Sequence, residues 1–138
     1  MDAVNGVEWY LRAAQQGDAK AQFKLALCYD DGTGVPQDKA LAAQWYTKAA
    51  EQGHVKAQFN LANSYRKGEG VPVDHERAVM WYQKAAEQGH AKAQYNLGNR
   101  YKKGQGVPKD VDKAIYWYQK AAEQGHVKAQ IKLGDLLR

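Results

Sequence analysis

One spacing dominates this sequence, because a tryptophan recurs every 36 residues, at Trp9, Trp45, Trp81 and Trp117. The glycines that precede each new segment and the three prolines keep the same interval. Such a chain folds as an array of small units, since one unit cannot bury its own apolar face. We expect one repeat domain over 1–138, made of a half repeat 2–17, full repeats 18–53, 54–89 and 90–125, and a half repeat 126–138.

Each full repeat contains two helical patterns. In the repeat 54–89, Ala57, Leu61 and Tyr65 recur at four-residue spacing, which predicts a first helix over about 54–67. Gly68 ends this helix, because glycine adopts the left-handed conformation without a steric cost. Asp74 is a good N-cap for a second helix over about 74–88. Short connections make neighbouring helices antiparallel, so the predicted fold class is all-α: an α/α superhelical solenoid of antiparallel helix pairs.

The second helix of each repeat carries a Trp-Tyr pair among alanines, as at Trp81-Tyr82. The pairs could form an aromatic binding ladder, but large rings beside alanines are typical of interlocking helices. We therefore expect the tryptophans in the core and the tyrosines half exposed.

The segments GTG, GEG and GQG resemble phosphate-binding loops. Such a loop needs a preceding strand and ends in Lys-Ser or Lys-Thr. Here each segment follows a helical pattern and precedes Val-Pro, so we interpret these glycines as structural residues that end a helix.

Metal and catalytic sites are also disfavoured by the repeat. His54, His90 and His126 occupy one position in successive repeats, and packed helix axes lie roughly 8–10 Å apart, too far for equivalent residues to share an ion. We interpret these histidines as helix-start residues. The equivalent glutamates Glu51, Glu87 and Glu123 are interpreted as solvated surface for the same reason. We expect no metal, no cofactor and no enzyme activity.

The apolar segments and the N-terminal residues bear on the cellular location of the protein. The apolar runs are shorter than a membrane span, and the N-terminal residues lack the pattern of a signal peptide. A cytoplasmic location without a membrane partner is the default expectation, although a natural parent of this chain could be exported. The single Cys28 cannot form an intramolecular disulfide.

Charge is unevenly distributed. With histidine neutral, the first-helix segments 18–31, 54–67, 90–103 and 126–138 carry −1, +3, +4 and +2, whereas the four second-helix segments carry −1, 0, −1 and −1. Lys56, Lys92 and Lys128 lie near helix starts, where the helix dipole disfavours cations. A functional role for the positive charge of the first helices is therefore favoured.

The third repeat follows the pattern A-x-x-x-L-G-x-x-Y-x-x-G-x-G-V-x-x-D-x-x-x-A-x-x-W-Y-x-K-A-A-x-Q-G, from Ala93 to Gly125. This pattern resembles the Sel-1-like repeat and covers essentially the whole chain. The resemblance implies a relative of the tetratricopeptide repeat, with first helices that line a concave groove. It also implies the usual role of such proteins, which is a non-catalytic adaptor that assembles other proteins.

Matched to the tetratricopeptide pattern, ten positions of the second and third repeats are implied to face the groove. They are Lys56, Phe59, Asn63, Arg66, Lys67, Lys92, Tyr95, Asn99, Lys102 and Lys103. Some tetratricopeptide grooves hold peptide carboxylates between Lys, Arg and Asn side chains, because asparagine both donates and accepts while lysine and arginine bind carboxylate. The implied partner is an extended, acidic peptide or protein segment. Phe59 and Tyr95 could be an apolar shelf or core.

Two alternatives remain at this point. The same basic face could bind single-stranded RNA, although the known one-base-per-repeat RNA binders have different repeats, which disfavours nucleic acid. The close likeness of the repeats also fits an engineered consensus scaffold without a natural ligand. The last helix presents Ile131, Leu133, Leu136 and Leu137, and this apolar end predicts self-association.

Overall fold

The computed structural model describes the backbone of residues 3–138 and the side chains of residues 6–138. Over this part of the chain it contains eight α-helices and no strand. The helices are α1 (Ala3–Gln15), α2 (Ala19–Asp31), α3 (Lys39–Glu51), α4 (Val55–Lys67), α5 (His75–Glu87), α6 (Ala91–Lys103), α7 (Val111–Glu123) and α8 (Val127–Leu137). Residues 1 and 2, with which the predicted domain and half repeat begin, lie outside the described residues.

The helix ends follow from local side-chain chemistry. The Asp74 side chain accepts a hydrogen bond from the Arg77 N–H at 3.0 Å and so caps α5, as predicted. Gly68 ends α4 in the left-handed conformation, with φ at 74°. The predicted limits of both helices are therefore confirmed to within about one residue.

The helices form two compact units. In the first unit, which extends to Val73, α1 packs on α2, α2 on α3, and α3 on α4. In the second unit, from Asp74 onwards, α5 packs on α6, α6 on α7, and α7 on α8. Each unit thus alternates the first and second helices of the repeat.

Tyrosine occupies the core position that was expected for tryptophan. Tyr46 in the first unit and Tyr82 and Tyr118 in the second are at most 1% exposed, so the prediction of half-exposed tyrosines is wrong. Trp81 is buried, but Trp9 is 60% exposed, and the other two tryptophans are half-buried. The reason is chemical, because the tyrosine hydroxyl reaches a polar group on a neighbouring helix while its ring is buried.

Buried glutamines join consecutive helices. Gln22 and Gln58 in the first unit donate from Nε2 to the carbonyl oxygens of Ala14 and Ala50, both at 3.1 Å. In the second unit Gln94 makes the same bond to Ala86. Each acceptor lies in the last turn of a helix, where carbonyls lack a partner within the helix. This role was not predicted from the sequence, although an Ala-Gln pair recurs at the same position of every repeat.

The Gly-x-Gly segments pack against backbone. Gly70 has φ at 77°, and a Cβ there would overlap the carbonyl oxygen of Lys39. In the second unit Gly106 has φ at 80°, and a Cβ there would overlap the carbonyl oxygen of His75. Only glycine allows this approach. The structural interpretation of these glycines is therefore supported, because their left-handed backbone and close approach to a carbonyl oxygen require glycine.

Candidate functional site

The histidines that recur every 36 residues cap the first helices. The Nδ1 of His54 accepts a hydrogen bond from the Ala57 N–H at 3.2 Å, and His126 does the same for Ala129 at 3.1 Å. His90 caps α6 in the same way. Their interpretation as helix-start residues is confirmed. Because Nδ1 is the acceptor, a neutral imidazole carries its proton on Nε2.

The environment keeps two of these imidazoles neutral near pH 7. Burial lowers the pKa of His54, and the nearby charge of Lys56 adds to the effect. Burial also lowers the pKa of His126, with further contributions from Lys128 and Lys92. Protonation is therefore disfavoured by desolvation first and by neighbouring lysines second.

Each of these two imidazoles stacks on an aromatic ring of a first helix. In the first unit the rings of His54 and Phe23 lie 4.7 Å apart with 29° between their planes. In the second unit His126 and Tyr95 also lie 4.7 Å apart, at 28°. A stacked pair of an imidazole and a six-membered aromatic ring is therefore found in each unit.

A cleft of about 400 Å³ lies beside the stack in the first unit. Its lining residues come from α2 and from the start of α4, and they are Lys20, Phe23, Lys24, His54, Val55 and Lys56. Three of the six are lysines and none is acidic. The predicted site residue Lys56 is thus exposed and forms part of a basic cleft.

The other end of α4 is not uniformly basic. Asn63 and Lys67 line a smaller cleft, of about 140 Å³, that also contains the carboxylates of Asp30 and Glu69. Asp30 accepts a hydrogen bond from the Tyr46 hydroxyl at 2.9 Å and pairs with Lys39 at 2.5 Å. This bond to Asp30 raises the pKa of Lys39. An incoming carboxylate would meet two negative charges here.

Asn99 on α6 is tied to the core of the second unit. The fully buried Tyr118 donates its hydroxyl to Asn99 Oδ1 at 2.5 Å. Burial raises the pKa of Tyr118 to about 12, and Tyr95 adds to this shift. The asparagine oxygen is thus already used, which leaves the Nδ2 donors for a ligand.

The remaining predicted positions differ in exposure. Lys67, Lys92 and Lys103 are exposed, whereas Arg66 and Lys102 are half-buried. Phe59 and Tyr95, for which groove and core were both open, are half-buried, so neither lies fully in the core. The basic neighbour Arg100 is buried, and its guanidinium donates to Gln105.

The other reactive side chains considered from the sequence are Cys28 and three glutamates. The Cys28 thiol is buried, and burial raises its pKa, which makes it a poor nucleophile. Glu51, Glu87 and Glu123 are exposed, as predicted. Among the residues that the structure describes, no group of three or more His, Cys, Asp or Glu side chains could hold a metal ion.

Two further observations bear on the predicted partners. No helix in the described part of the chain is both long and apolar enough to cross a lipid bilayer. On α8, Val127, Ile131 and Leu137 are each about 60% exposed. Self-association through this helix stays a prediction.

The family model of the Sel1 repeat matches the chain four times, at residues 2–18, 19–54, 55–90 and 91–126. Two similar solved structures are bacterial. A protective antigen of uropathogenic Escherichia coli strains, which displays an SLR fold, is 45% identical with a TM-score of 0.96 over 98% of this chain. A Sel1 repeat protein from Oxalobacter formigenes is 42% identical with a TM-score of 0.94 over 97% of this chain.

The chain is shorter than both of these proteins, since it covers 29% of the first and 55% of the second. The cysteine-rich protein B of Helicobacter pylori is 22% identical, with a TM-score of 0.69 over 91% of this chain and 90% of its own, which supports the fold alone. No protein with a curated description matches. The predicted fold class, an all-α solenoid of 36-residue repeats, is confirmed.

Proposed function

The chain belongs to the Sel1 repeat family, and we propose that it binds an extended acidic peptide or protein segment through two basic first helices, α4 and α6. Sel1 repeat proteins are in general non-catalytic scaffolds for protein–protein interaction. The proposal adds the chemistry of the partner and the residues that contact it.

The observation that carries the proposal is the charge of α4 and α6. Helix α4 contains Lys56, Arg66 and Lys67 and no acidic residue. Helix α6 contains Lys92, Arg100, Lys102 and Lys103, again without an acidic residue. The excess positive charge on each helix attracts an acidic partner, and it does so most at the exposed Lys56 on α4 and at the exposed Lys92 and Lys103 on α6.

The polar geometry on α6 fits the same class of partner. Asn99 Oδ1 accepts from Tyr118, and the Nδ2 donors of the same side chain suit a peptide carbonyl or a carboxylate. Lys92 and Lys103 are exposed on the same helix and can add ion pairs. This combination supports a ligand with acceptor groups along its length.

A selection experiment with random peptides tests the proposal and also supplies ligands for affinity measurements. A random peptide library displayed on phage is selected on the full chain and, in parallel, on a variant with Asn63, Asn99, Arg66 and Lys102 replaced by alanine. We expect peptides rich in Asp and Glu on the wild type and a loss of these peptides on the variant. Thermal unfolding must show that the variant stays folded, since Asn99 also holds Tyr118.

A control variant makes the result specific. A variant with Arg12→Ala and Lys84→Ala removes positive charge from α1 and α5, which are outside the predicted face, and it should retain the selected peptides. Selection without an acidic bias, or equal binding by the four-residue variant, would contradict the proposal.

Single-stranded RNA is the alternative ligand, and the salt dependence of binding distinguishes it from a peptide. Its affinity should fall steeply as salt rises, because phosphate binding releases counterions. Peptide binding with an apolar contact should fall gently over the same range. Tight, steeply salt-dependent RNA binding with no selected peptides would favour the nucleic-acid alternative.

A further inference from the structure

In each unit, lysines accompany the histidine ring that stacks on an aromatic ring. Only two of these lysines, Lys56 and Lys92, belong to the proposed peptide site. In the first unit these lysines are Lys20, Lys24 and Lys56, and we call the cleft they line with Phe23, His54 and Val55 the α2–α4 pocket. In the second unit the His126 ring stacks on Tyr95, and the charges of Lys92 and Lys128 contribute to the lowered pKa of His126. We call these four residues the α6–α8 counterpart.

The imidazole in each stack offers a donor as well as a ring. Because Nδ1 of His54 and of His126 caps its helix, the proton of the neutral imidazole is on Nε2. Within the described residues, Nε2 has no hydrogen-bond partner on either side chain. An acidic side chain of a ligand can accept this bond and pair with a lysine at the same time.

The lysines of the α2–α4 pocket are available for a ligand. None of the three forms an ion pair within the described part of the chain, whereas Lys39 of the same unit pairs with Asp30 and Glu69. Lys24 lies 5.8 Å from the ring centre of Tyr10, which holds its ammonium group without neutralising it. The pocket is therefore positively charged without an acidic side chain in its lining.

The remaining wall is apolar. Phe23 and Val55 contribute ring and methyl surface, and the lysine stems add more. A volume of about 400 Å³ lies within the range of ordinary ligand pockets. The occupant should thus combine an apolar side chain with a neighbouring carboxylate.

The packing of the rings favours a peptide over a nucleic acid. Phe23 is contacted by the His54 imidazole and lies 6.0 Å from the ring of Tyr46. Tyr95 is likewise near His126 and 5.8 Å from Tyr118. Nucleic-acid bases bind such proteins by stacking on open aromatic faces, and here an imidazole already stacks on each of these two rings.

We infer that the α2–α4 pocket and the α6–α8 counterpart each bind one Asp or Glu side chain of a peptide together with an adjacent apolar side chain. The inference rests on the proposed function for the class of partner. It adds the sequence requirement of the ligand and seven residues that are not among the predicted site residues: Lys20, Phe23, Lys24, His54, Val55, His126 and Lys128.

The test uses peptides selected on the full chain and measures their affinity by fluorescence anisotropy. Lys20→Gln with Lys56→Gln should weaken binding about fivefold, since both lysines face the same ligand carboxylate and one exposed ion pair contributes up to about fivefold. Lys92→Gln with Lys128→Gln should have a similar effect on peptides that occupy the counterpart. Peptides with Asn and Gln in place of Asp and Glu should bind as weakly to the wild type.

Matched variants control for net charge. Arg12→Gln with Lys48→Gln in the first unit, and Lys84→Gln with Lys113→Gln in the second, remove the same charge from exposed positions outside the pockets. They should change affinity less than about twofold, because exposed charges beyond a Debye length of about 10 Å are screened. Pocket variants that bind as tightly as these controls would overturn the inference.

A second readout locates the ligand. The Cε1–H signals of His54 and His126 should shift on titration with peptide, and that of His75 should stay in place. Shifts confined to residues outside the pockets would also overturn the inference.

The two proposals fail in different ways. If the variant in Asn63, Asn99, Arg66 and Lys102 loses the peptides while the pocket variants keep them, the proposed function stands and the inference falls. The reverse pattern leaves the pockets as the binding site and rejects the predicted residues. Selected peptides that lack a neighbouring acidic and apolar pair reject the inference in either case.

Discussion

The hydroxyl of Tyr118 donates a hydrogen bond to Asn99 Oδ1 at 2.5 Å, and this bond ties α7 to α6 in the second unit. Tyr118 is fully buried, whereas Asn99 is half-buried. The asparagine therefore has two roles, since its oxygen completes the core and its amide donors remain for a ligand. Stability and binding are coupled at this position.

Removing either partner should cost stability, but by different amounts. Tyr118→Phe loses one hydrogen bond, worth about 1 kcal/mol, and leaves a half-buried amide that water can reach. Asn99→Leu leaves the buried Tyr118 hydroxyl without its acceptor, which costs about 1–3 kcal/mol. Urea unfolding should therefore rank Asn99→Leu as the more destabilised variant. Tyr116→Phe, at an exposed ring, should match the wild type, and equal losses for the first two variants would contradict the assigned bond.

Gly98 should resist replacement although it lies inside a helix. A Cβ there would be 2.7 Å from Cδ1 and Cε1 of Tyr118, whose ring is held by its bond to Asn99. Overpacking costs about 1–3 kcal/mol and outweighs the gain of about 1 kcal/mol in helix propensity. Gly98→Ala should therefore lower the free energy of unfolding.

Gly134 supplies the matched comparison for Gly98. It is also helical, but a Cβ there would meet nothing within 4 Å. Gly134→Ala should raise the free energy of unfolding by up to about 1 kcal/mol. A stabilising effect of Gly98→Ala in the same urea titration would show that the ring of Tyr118 can move.

Replacing a buried glutamine by an apolar residue of similar length should lower the free energy of unfolding. Gln94→Met keeps the length of the side chain but leaves the Ala86 carbonyl without its donor and the Gln124 side chain without one of its acceptors. We expect a loss of about 1–3 kcal/mol in the free energy of unfolding. Gln119→Met, at an exposed position of α7, should change it by less than about 0.5 kcal/mol. Similar values for the two variants would argue against the glutamine bonds.

The histidine caps predict how stability depends on pH. The folded pKa values of His54 and His126 are lowered, so the unfolded chain takes up protons first as the pH falls. The stabilisation is complete above about pH 6.5 and is lost as the pH falls through the lowered folded values. The urea midpoint should thus decrease between about pH 7 and about pH 5.

Asparagine at both histidine positions tests this source of pH dependence. It is a good N-cap that does not titrate, so His54→Asn with His126→Asn should fold and should show a smaller decrease over the same pH range. Each single variant should remove part of the decrease. An unchanged slope in the double variant would assign the pH dependence to other groups.

Much of the fold follows from sequence because its signals are local. Asp74, Gly68 and the recurring histidines act on the backbone of their own helix, so their roles as caps and stops were predicted and are observed. The assignment of Trp and Tyr was wrong for a non-local reason. Both are large aromatic residues, and only the neighbouring helix decides that the hydroxyls of Tyr46 and Tyr118 have partners in Asp30 and Asn99.

The candidate site could be predicted from the sequence less completely than the fold. The basic character of α4 and α6 could be read from composition, but the carboxylates of Asp30 and Glu69 beside Lys67 could not, since they come from other segments of the chain. The stack of Phe23 on His54 joins two repeats and has no signature within either. Residues that meet across repeats were therefore the ones missed.

The central claim is that acidic peptide segments bind to the basic helices α4, in the first unit, and α6, in the second. Backbone amide shifts of the isotope-labelled full chain, titrated with a selected acidic peptide, test it most directly. We predict the largest shifts at Lys56, Lys92 and Asn99 and none of comparable size on the second helices α3 and α7. The claim would be contradicted if the shifts concentrated on α3, α5 or α7, or if the peptide with Asn and Gln in place of its acidic residues produced the same shifts.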